Sequence, residues 1–145
     1  MTIEEINGEH KLGAVAHAIL ALCKSQECNL GFKSQRHLLK LTNGLLIFQD
    51  KAKQGFVHVI DKNRKILHDF RTIYYDGEAL FALVEAYKKL GYDWILDRAI
   101  LAAEYFIEQE KWKAHDHWQA YAFCSLYEIT SVSYTHLTLP TIYSV

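Results

Sequence analysis

Two short stretches of the chain combine carboxyl, imidazole and aromatic side chains at spacings that suit acid–base chemistry. The first runs from His68 to Glu78, and the second is His115-Asp116-His117-Trp118. Aromatic rings pack against the C–H faces of sugars, and planar polar groups bind sugar hydroxyls, so both stretches suit a carbohydrate ligand. A carboxyl group from each stretch, Glu78 and Asp116, would supply the acid–base pair that cleavage of a glycosidic bond requires.

The candidate site residues fall into two groups. The candidate catalytic residues are Glu78, Asp116, His115 and His117. The candidate substrate-binding residues are His58, His68, Arg71, Tyr74, Tyr75, Asp76 and Trp118. Two histidines facing each other across a cavity would instead serve proton transfer in an epimerase, because imidazole titrates near neutral pH.

Most of these residues also have a structural interpretation. Glu78 shares one helical stripe with Glu85 and Lys89, which is typical of a solvated face, and an acid in a first helical turn suits the helix dipole. Asp76 and Asp116 are both placed as helix N-caps. The tyrosine pair before Asp76 suits a hydrophobic staple or the core, and Trp118 suits packing at the start of an apolar stripe.

A metal site is the remaining alternative for the histidines. His115 and His117 have a spacing that suits two ligands of one ion, with His58 or His68 as a further ligand. The sequence fixes no third ligand, because these histidines lie far apart along the chain. We therefore predict no metal and no cofactor.

The bulk composition bounds the class of protein. The chain has 145 residues, of which 50% are hydrophobic and 23% charged, and its net charge is −1. This composition is typical of one folded domain, and the scattered lysines and arginines exclude a nucleic-acid partner. The sequence contains no apolar run of membrane-spanning length and no signal peptide, so we expect a cytoplasmic protein without a membrane partner. The three cysteines suit buried free thiols rather than a disulfide framework.

Apolar periodicity predicts a mostly helical chain. Helices are expected over His10–Gln26, Ser34–Phe48, Asp76–Gly91 and Trp94–Gln109, and from about Asp116 to Thr130. Asp76 and Asp93 are expected to cap the third and fourth helices, and Gly91 to end the third in a left-handed conformation. Two β-prone runs, Gly55–Ile60 and Lys65–Phe70, flank a polar turn and predict a short β-hairpin.

The helices repeat one another. GAVAHAILALC at Gly13–Cys23 aligns with GEALFALVEAY at Gly77–Tyr87, and HWQAYAFCSLY at His117–Tyr127 resembles both. Repeated αα-hairpins bury their apolar faces by stacking on neighbouring copies. The sequence therefore predicts two full hairpins and the first helix of a third.

These repeats carry a resemblance to a known superfamily. The stretches concerned are YYDGEALFALVEAYKKLGYDWILDRAILAAEYFI and DHWQAYAFCSLYEI, within about Leu12–Thr130. They resemble the α/α-toroid repeat of the six-hairpin glycosidase-like superfamily. The resemblance implies an all-α stack of antiparallel αα-hairpins, a partial toroid over residues 1–131 with one β-hairpin insertion near residues 55–70.

The superfamily includes glycoside hydrolases, polysaccharide lyases, sugar epimerases and non-carbohydrate cyclases, so the fold alone does not fix the reaction. The resemblance implies a fragment of a carbohydrate-active enzyme, of glycoside hydrolase or sugar epimerase type, with a sugar-like small molecule as ligand. The alternative is a non-catalytic helical-repeat domain for binding or scaffolding. In an array of this kind, Tyr74–Glu78 and His115–His117 should lie at the same end, and the β-hairpin should bring His58 or His68 toward it.

The last stretch of the sequence changes style. Ser133–Thr141 resembles a reading frame through a transposase-type DNA-library adapter, and its region contains Pro140, the only proline of the chain. We expect residues 132–145 to be a non-native tail and exclude them from the fold. The natural chain is then expected to continue after about Ser131 with further hairpins of its own, which would cover the apolar faces left at both ends.

Overall fold

The computed structural model describes residues 1–25, 32–52, 55–67 and 70–131. In these ranges the protein is mostly helical with one small antiparallel sheet, as the sequence predicts. The α-helices are α1 (Leu12–Ser25), α2 (Phe32–Leu45), α3 (Tyr75–Leu90), α4 (Asp93–Glu108) and α5 (His117–Thr130). Short 3-10 helices follow α2 at Leu46–Phe48 and precede α5 at Lys111–Ala114.

Helix α3 is the centre of the fold. It packs against α1 on one side and α5 on the other, while α2 and α4 pack against the helices that precede them in the chain. The core between them is built from alternating small and large apolar residues, among them Ala82, Leu83, Ala102 and Phe106. Helices α1, α3 and α5 thus form one layer, which is here called the inner layer. Stacked αα-hairpins produce such a layer.

Two glycines let the inner helices approach closely at their N-terminal ends. A Cβ atom at Gly13 of α1 would overlap the ring of Tyr75 in α3, and a Cβ atom at Gly77 of α3 would overlap the carboxyl group of Asp116 before α5. Because each glycine meets the start of the next inner helix, the N-terminal ends of α1, α3 and α5 lie at one end of the array.

We expect Gly77→Ala to lower the free energy of unfolding by about 1–3 kcal/mol through overpacking. The added methyl group meets the backbone nitrogen of Gln119 as well as the Asp116 carboxyl group. A backbone atom cannot rotate away as a flexible side chain can. An ordinary glycine-to-alanine change inside a helix gains up to about 1 kcal/mol, so the sign of the effect is decisive. Urea unfolding measures it, and a stabilised variant would contradict this packing.

The predicted β-hairpin is confirmed, and the sheet adds a strand that the sequence did not predict. Strand β1 (His10–Lys11) pairs antiparallel with β2 (Val59–Ile60). The second arm of the hairpin also pairs with β2, through the Ile60–Ile66 bridge and a 3.0 Å hydrogen bond from the Leu67 N–H to the Val59 carbonyl oxygen. His10 was expected in the first helix, but β2 offers its backbone partners, and α1 begins only at Leu12. The polar turn between the arms is present, because Asp61 Oδ1 accepts the backbone N–H groups of Asn63 and Lys65 at 2.8 Å each.

The helix ends confirm two of the four expected caps. Asp116 caps α5 by accepting the Trp118 N–H at 3.0 Å, and Gly91 ends α3 with a φ of 73°. Asp93 is instead the first residue of α4, behind Tyr92, and makes no capping bond. Asp76 is wrong as an N-cap as well, because α3 begins one residue earlier and the Asp76 carboxyl group is bound elsewhere.

Several other expectations concern the surface. Cys23 is buried, but Cys124 is exposed, so a buried thiol is confirmed only for the first; Cys28 lies outside the described residues. The faces of α1 and α5 differ, since α1 is largely covered while Tyr121 and Tyr127 of α5 are about half exposed. Among the described helices, none has the length and apolar character needed to cross a bilayer. The expected tail, residues 132–145, also lies outside the described part of the chain.

Candidate active site

The two chemistry-bearing stretches meet at the N-terminal end of the inner layer, which confirms their predicted placement at one end of the array. The ring of Tyr74, just before α3, lies 5.8 Å from the ring of His117 at the start of α5. Lys111, from the 3-10 helix before α5, places its Nζ atom 3.3 Å from Asp76 Oδ2. The carboxyl groups of Glu78 and Asp116 are both buried at this junction.

Asp76 is the centre of a buried polar network. Its Oδ1 atom accepts a hydrogen bond from His58 Nε2 at 3.0 Å, and its Oδ2 atom accepts one from Arg71 Nη2 at 3.0 Å and one from Lys111. Burial by itself raises the pKa of Asp76, but His58, Lys111 and Arg71 together hold it below its ordinary value. The network therefore joins the loop before α3, the start of α3 and the segment before α5.

His58 is fixed in one tautomer by its two partners. The Thr72 N–H donates to Nδ1 at 3.0 Å, so the ring proton sits on Nε2 and points to Asp76. The side chain is almost completely buried. The β2 segment thus carries His58 toward this end, as expected, but both ring nitrogens are already occupied there. His68, the other candidate in this segment, lies outside the described residues.

Glu78 is buried rather than on a solvated face. Its side chain is 8% exposed, and its Oε2 atom lies 3.6 Å from Nδ1 of His17 in α1. That oxygen has no hydrogen-bond partner within 3.5 Å among the described residues. Burial raises the pKa of Glu78, and His17, His117 and His58 oppose the rise. The close approach of α1 at Gly13 covers this carboxyl group, whereas Glu85, two turns later, remains at the edge and pairs with Lys88.

His17 is a site residue that the sequence analysis missed. Its Nδ1 atom lies 2.9 Å from the Gly13 carbonyl oxygen, which accepts only, so Nδ1 carries a proton and Nε2 remains available. The side chain is 55% exposed, and its ring meets the Trp118 ring edge-on at 5.7 Å. The internal repeat could have identified His17. In the aligned copies His17 corresponds to Phe81 and Tyr121, two residues that also border the site.

Asp116 combines the capping role with an unusual carboxyl group. Its Oδ1 atom accepts the Trp118 N–H, while its buried Oδ2 atom has no hydrogen-bond partner among the described residues. Burial raises the pKa of Asp116 to about 6, and the negative charge of Glu78 adds to the rise. Buried carboxyl groups with raised pKa values that lie near each other are typical of acid–base sites.

We expect Asp116→Asn to raise the free energy of unfolding at pH 7 by about 1–2 kcal/mol. Asparagine caps a helix as well as aspartate does, and it carries no charge to bury. Because the folded protein holds the Asp116 proton more tightly, the stability of the unmodified protein should fall as the pH rises from about 4 to about 6. Asp76 acts oppositely: its pKa is lowered, so its contribution is lost only as the pH falls below about 4.

Urea unfolding of both proteins at about pH 3 and at about pH 7 measures this difference. The two should be nearly equal in stability near pH 3, about one unit below the ordinary pKa of aspartate, where Asp116 is mostly protonated in both the folded and the unfolded state. A variant that is less stable than the unmodified protein at pH 7 would contradict the conclusion that burial of the Asp116 charge lowers stability.

Aromatic rings cluster around His117 at the start of α5. His117 contacts the rings of Trp118 at 5.2 Å and Tyr121 at 5.8 Å, and Tyr74 beside it is a little less than half exposed. Tyr75 differs from its neighbour, because its ring packs against the core and against His58 at 5.4 Å. Of the tyrosine pair, only Tyr74 is free to contact a ligand.

A groove of about 450 Å³ begins beside this cluster and runs between α1 and α3. His17 and Trp118 line it at the end nearest Glu78, and Phe81 and Leu20 line its middle. Its volume lies in the range of small-molecule sites. Trp118 is therefore placed to contact a ligand as well as to pack.

His115 stands apart from the cluster. Its side chain is exposed, its backbone is left-handed with a φ of 56°, and its N–H donates to the Trp112 carbonyl. Within residues 1–25, 32–52, 55–67 and 70–131, no three histidine, cysteine or acidic residues are grouped as metal ligands would be. His58 offers no lone pair to an ion, because Nδ1 already accepts a hydrogen bond and Nε2 carries the proton.

Comparisons with known proteins give no assignment. No protein-family model, no curated protein sequence and no solved structure matches the chain.

Proposed function

We propose that this chain is part of a carbohydrate-active α/α-toroid enzyme of the sugar epimerase type, which moves a proton on a sugar ring. The observation that carries the proposal is the placement of two exposed imidazoles, His17 and His117, around the buried carboxylate of Glu78. The resemblance of the repeat to the six-hairpin superfamily supports the substrate class.

The His17–Glu78 pair has the form of a general base and its positioning group. The Gly13 carbonyl oxygen and the Glu78 carboxylate both face Nδ1, which leaves Nε2 as the acceptor for a substrate proton. A nearby carboxylate also stabilises the imidazolium that forms when the proton is taken up. Glu78 thus acts through His17 rather than on the ligand.

Epimerisation needs a second group to return a proton to the other face of the carbon. His117 suits that role, because His17 and His117 are on different helices and their rings contact the Trp118 ring at 5.7 Å and 5.2 Å. Cleavage of a glycosidic bond would require a carboxyl group in contact with the leaving oxygen. Glu78 and Asp116 are both buried, so the geometry favours the epimerase type over the hydrolase type.

The experiment that tests the proposal is incubation of the protein with a panel of reducing sugars and N-acyl amino sugars in D2O. Proton magnetic resonance should show loss of one ring C–H signal and appearance of the epimer, since the removed proton exchanges with solvent. Aryl glycosides run in parallel detect hydrolysis. Release of the aryl group without ring exchange would replace the epimerase type with the hydrolase type.

The alternative function is a non-catalytic helical-repeat domain that binds a carbohydrate. The exposed rings of Tyr74 and Tyr121 favour it, because aromatic faces bind sugars without any proton transfer. Saturation-transfer signals from a sugar, with neither exchange nor cleavage, would support this alternative.

Exposed Tyr127 on α5 further fits the expectation that a following hairpin of the same chain covers that face.

A further inference from the structure

A second, smaller pocket lies beside the start of α3 and is distinct from the groove of His17 and Trp118. Its volume is about 190 Å³, and no residue that lines it also lines that groove. Its polar lining residues come from the loop before α3, the first turn of α3, the 3-10 helix and α5, and they are Arg71, Thr72, Asp76, Lys111 and Gln119.

The charges around this pocket do not balance. Asp76 is the one carboxylate in its lining, while Arg71 and Lys111 both donate to the same oxygen, Asp76 Oδ2. Arg71 is half exposed and Lys111 about one quarter exposed, so both cations keep donor groups for a further partner. The lining therefore carries an excess positive charge, which an anion would neutralise.

Gln119 adds a second requirement, a hydrogen-bond donor on the ligand. It is only 2% exposed, and its Oε1 atom has no hydrogen-bond partner among the described residues. A buried carbonyl oxygen left unpaired is costly, by about 1–3 kcal/mol. A ligand that satisfies it must bring an O–H or N–H donor into the pocket.

We propose that this pocket binds a small oxyanion that also carries a hydroxyl group. The oxyanion would bridge Arg71 and Lys111, and the hydroxyl would donate to Gln119 Oε1. A hydrogen phosphate group and a 2-hydroxycarboxylate share this chemistry. The pocket is separate from the proposed catalytic groove, so this inference stands or fails independently of the proposed function.

The test is calorimetric titration of the folded chain at pH 7 and constant ionic strength with four probes: phosphate, sulfate, glycolate and acetate. Phosphate should bind at least about tenfold more tightly than sulfate, and glycolate about tenfold more tightly than acetate, because only the first of each pair can donate to Gln119. Equal binding within both pairs, or no binding by any probe, would overturn the proposal.

Variants locate the site. Lys111→Met should abolish binding of phosphate and glycolate, whereas Lys113→Met, two residues away and paired with Glu110 on the surface, should leave it unchanged. Gln119→Leu should remove the preference for glycolate over acetate while retaining weak binding of both. If Gln119→Leu does not fold, Arg71→Met provides the second test. Its affinity for every anion should be at least about tenfold weaker. Loss of binding in Lys113→Met equal to that in Lys111→Met would place the anions elsewhere.

Discussion

Replacing Asp76 with alanine is expected to lower the free energy of unfolding by about 3–5 kcal/mol, because one buried partner of an ionic network is removed. The change leaves the Nε2–H of buried His58 unsatisfied and places Arg71 and Lys111 side by side without their shared carboxylate. It also unties the loop before α3 from the segment before α5. Urea or thermal unfolding followed by circular dichroism measures the loss.

A surface ion pair provides the matched control for Asp76. Lys113 Nζ lies 2.7 Å from Glu110 Oε2, but both side chains are more than half exposed. Lys113→Ala should therefore cost no more than about 1 kcal/mol. If Asp76→Ala proved as mild as this control, the buried network would not be what holds these segments together.

The second large effect concerns catalysis. Glu78→Gln should lower turnover of the sugar substrate by at least about a hundredfold, and His17→Gln by a similar factor. Glutamine at position 78 keeps the shape of the side chain but removes the charge that stabilises protonated His17. Rates measured from C–H exchange in D2O report the loss directly, with substrate affinity measured alongside.

His37→Gln is the control for these variants, because His37 is exposed on α2 and belongs to neither the groove nor the small pocket. It should retain full turnover. If Glu78→Gln kept near-normal turnover on a verified substrate, Glu78 would contribute to packing and not to catalysis.

Helix positions in this chain follow from local sequence, and so does the β-hairpin, but the third strand of the sheet region does not. The third and fourth helices begin and end within about two residues of their predicted positions, because apolar periodicity and Gly91 mark them. The hairpin arm pairs with β2 as the local pattern predicts, but β2 also pairs with His10–Lys11, far away in the chain. Local β-propensity carries no information about that second pairing.

The candidate site was predictable only in part. Chain order was sufficient to place Tyr74–Glu78 beside His115–His117, since α4 returns the chain between them. The burial of Glu78 was not predictable from its own helix, because the covering atoms belong to α1 and reach it through the bare backbone at Gly13. The role of His17 was hidden for the same reason: a histidine in an apolar helix gains a carboxylate partner only from tertiary packing.

The glycines of the inner layer also determine how such a helix pair can be multiplied. Gly13 and Gly77 occupy the first position of two aligned copies, and each receives the start of the following inner helix against bare backbone. The third copy has His117 at that position. If the helix pair were repeated by design, only copies that keep the glycine would give a constant, short distance between neighbouring inner helices. A helix packed against α5 in the same register would lie farther away, by about the width of the His117 imidazole ring.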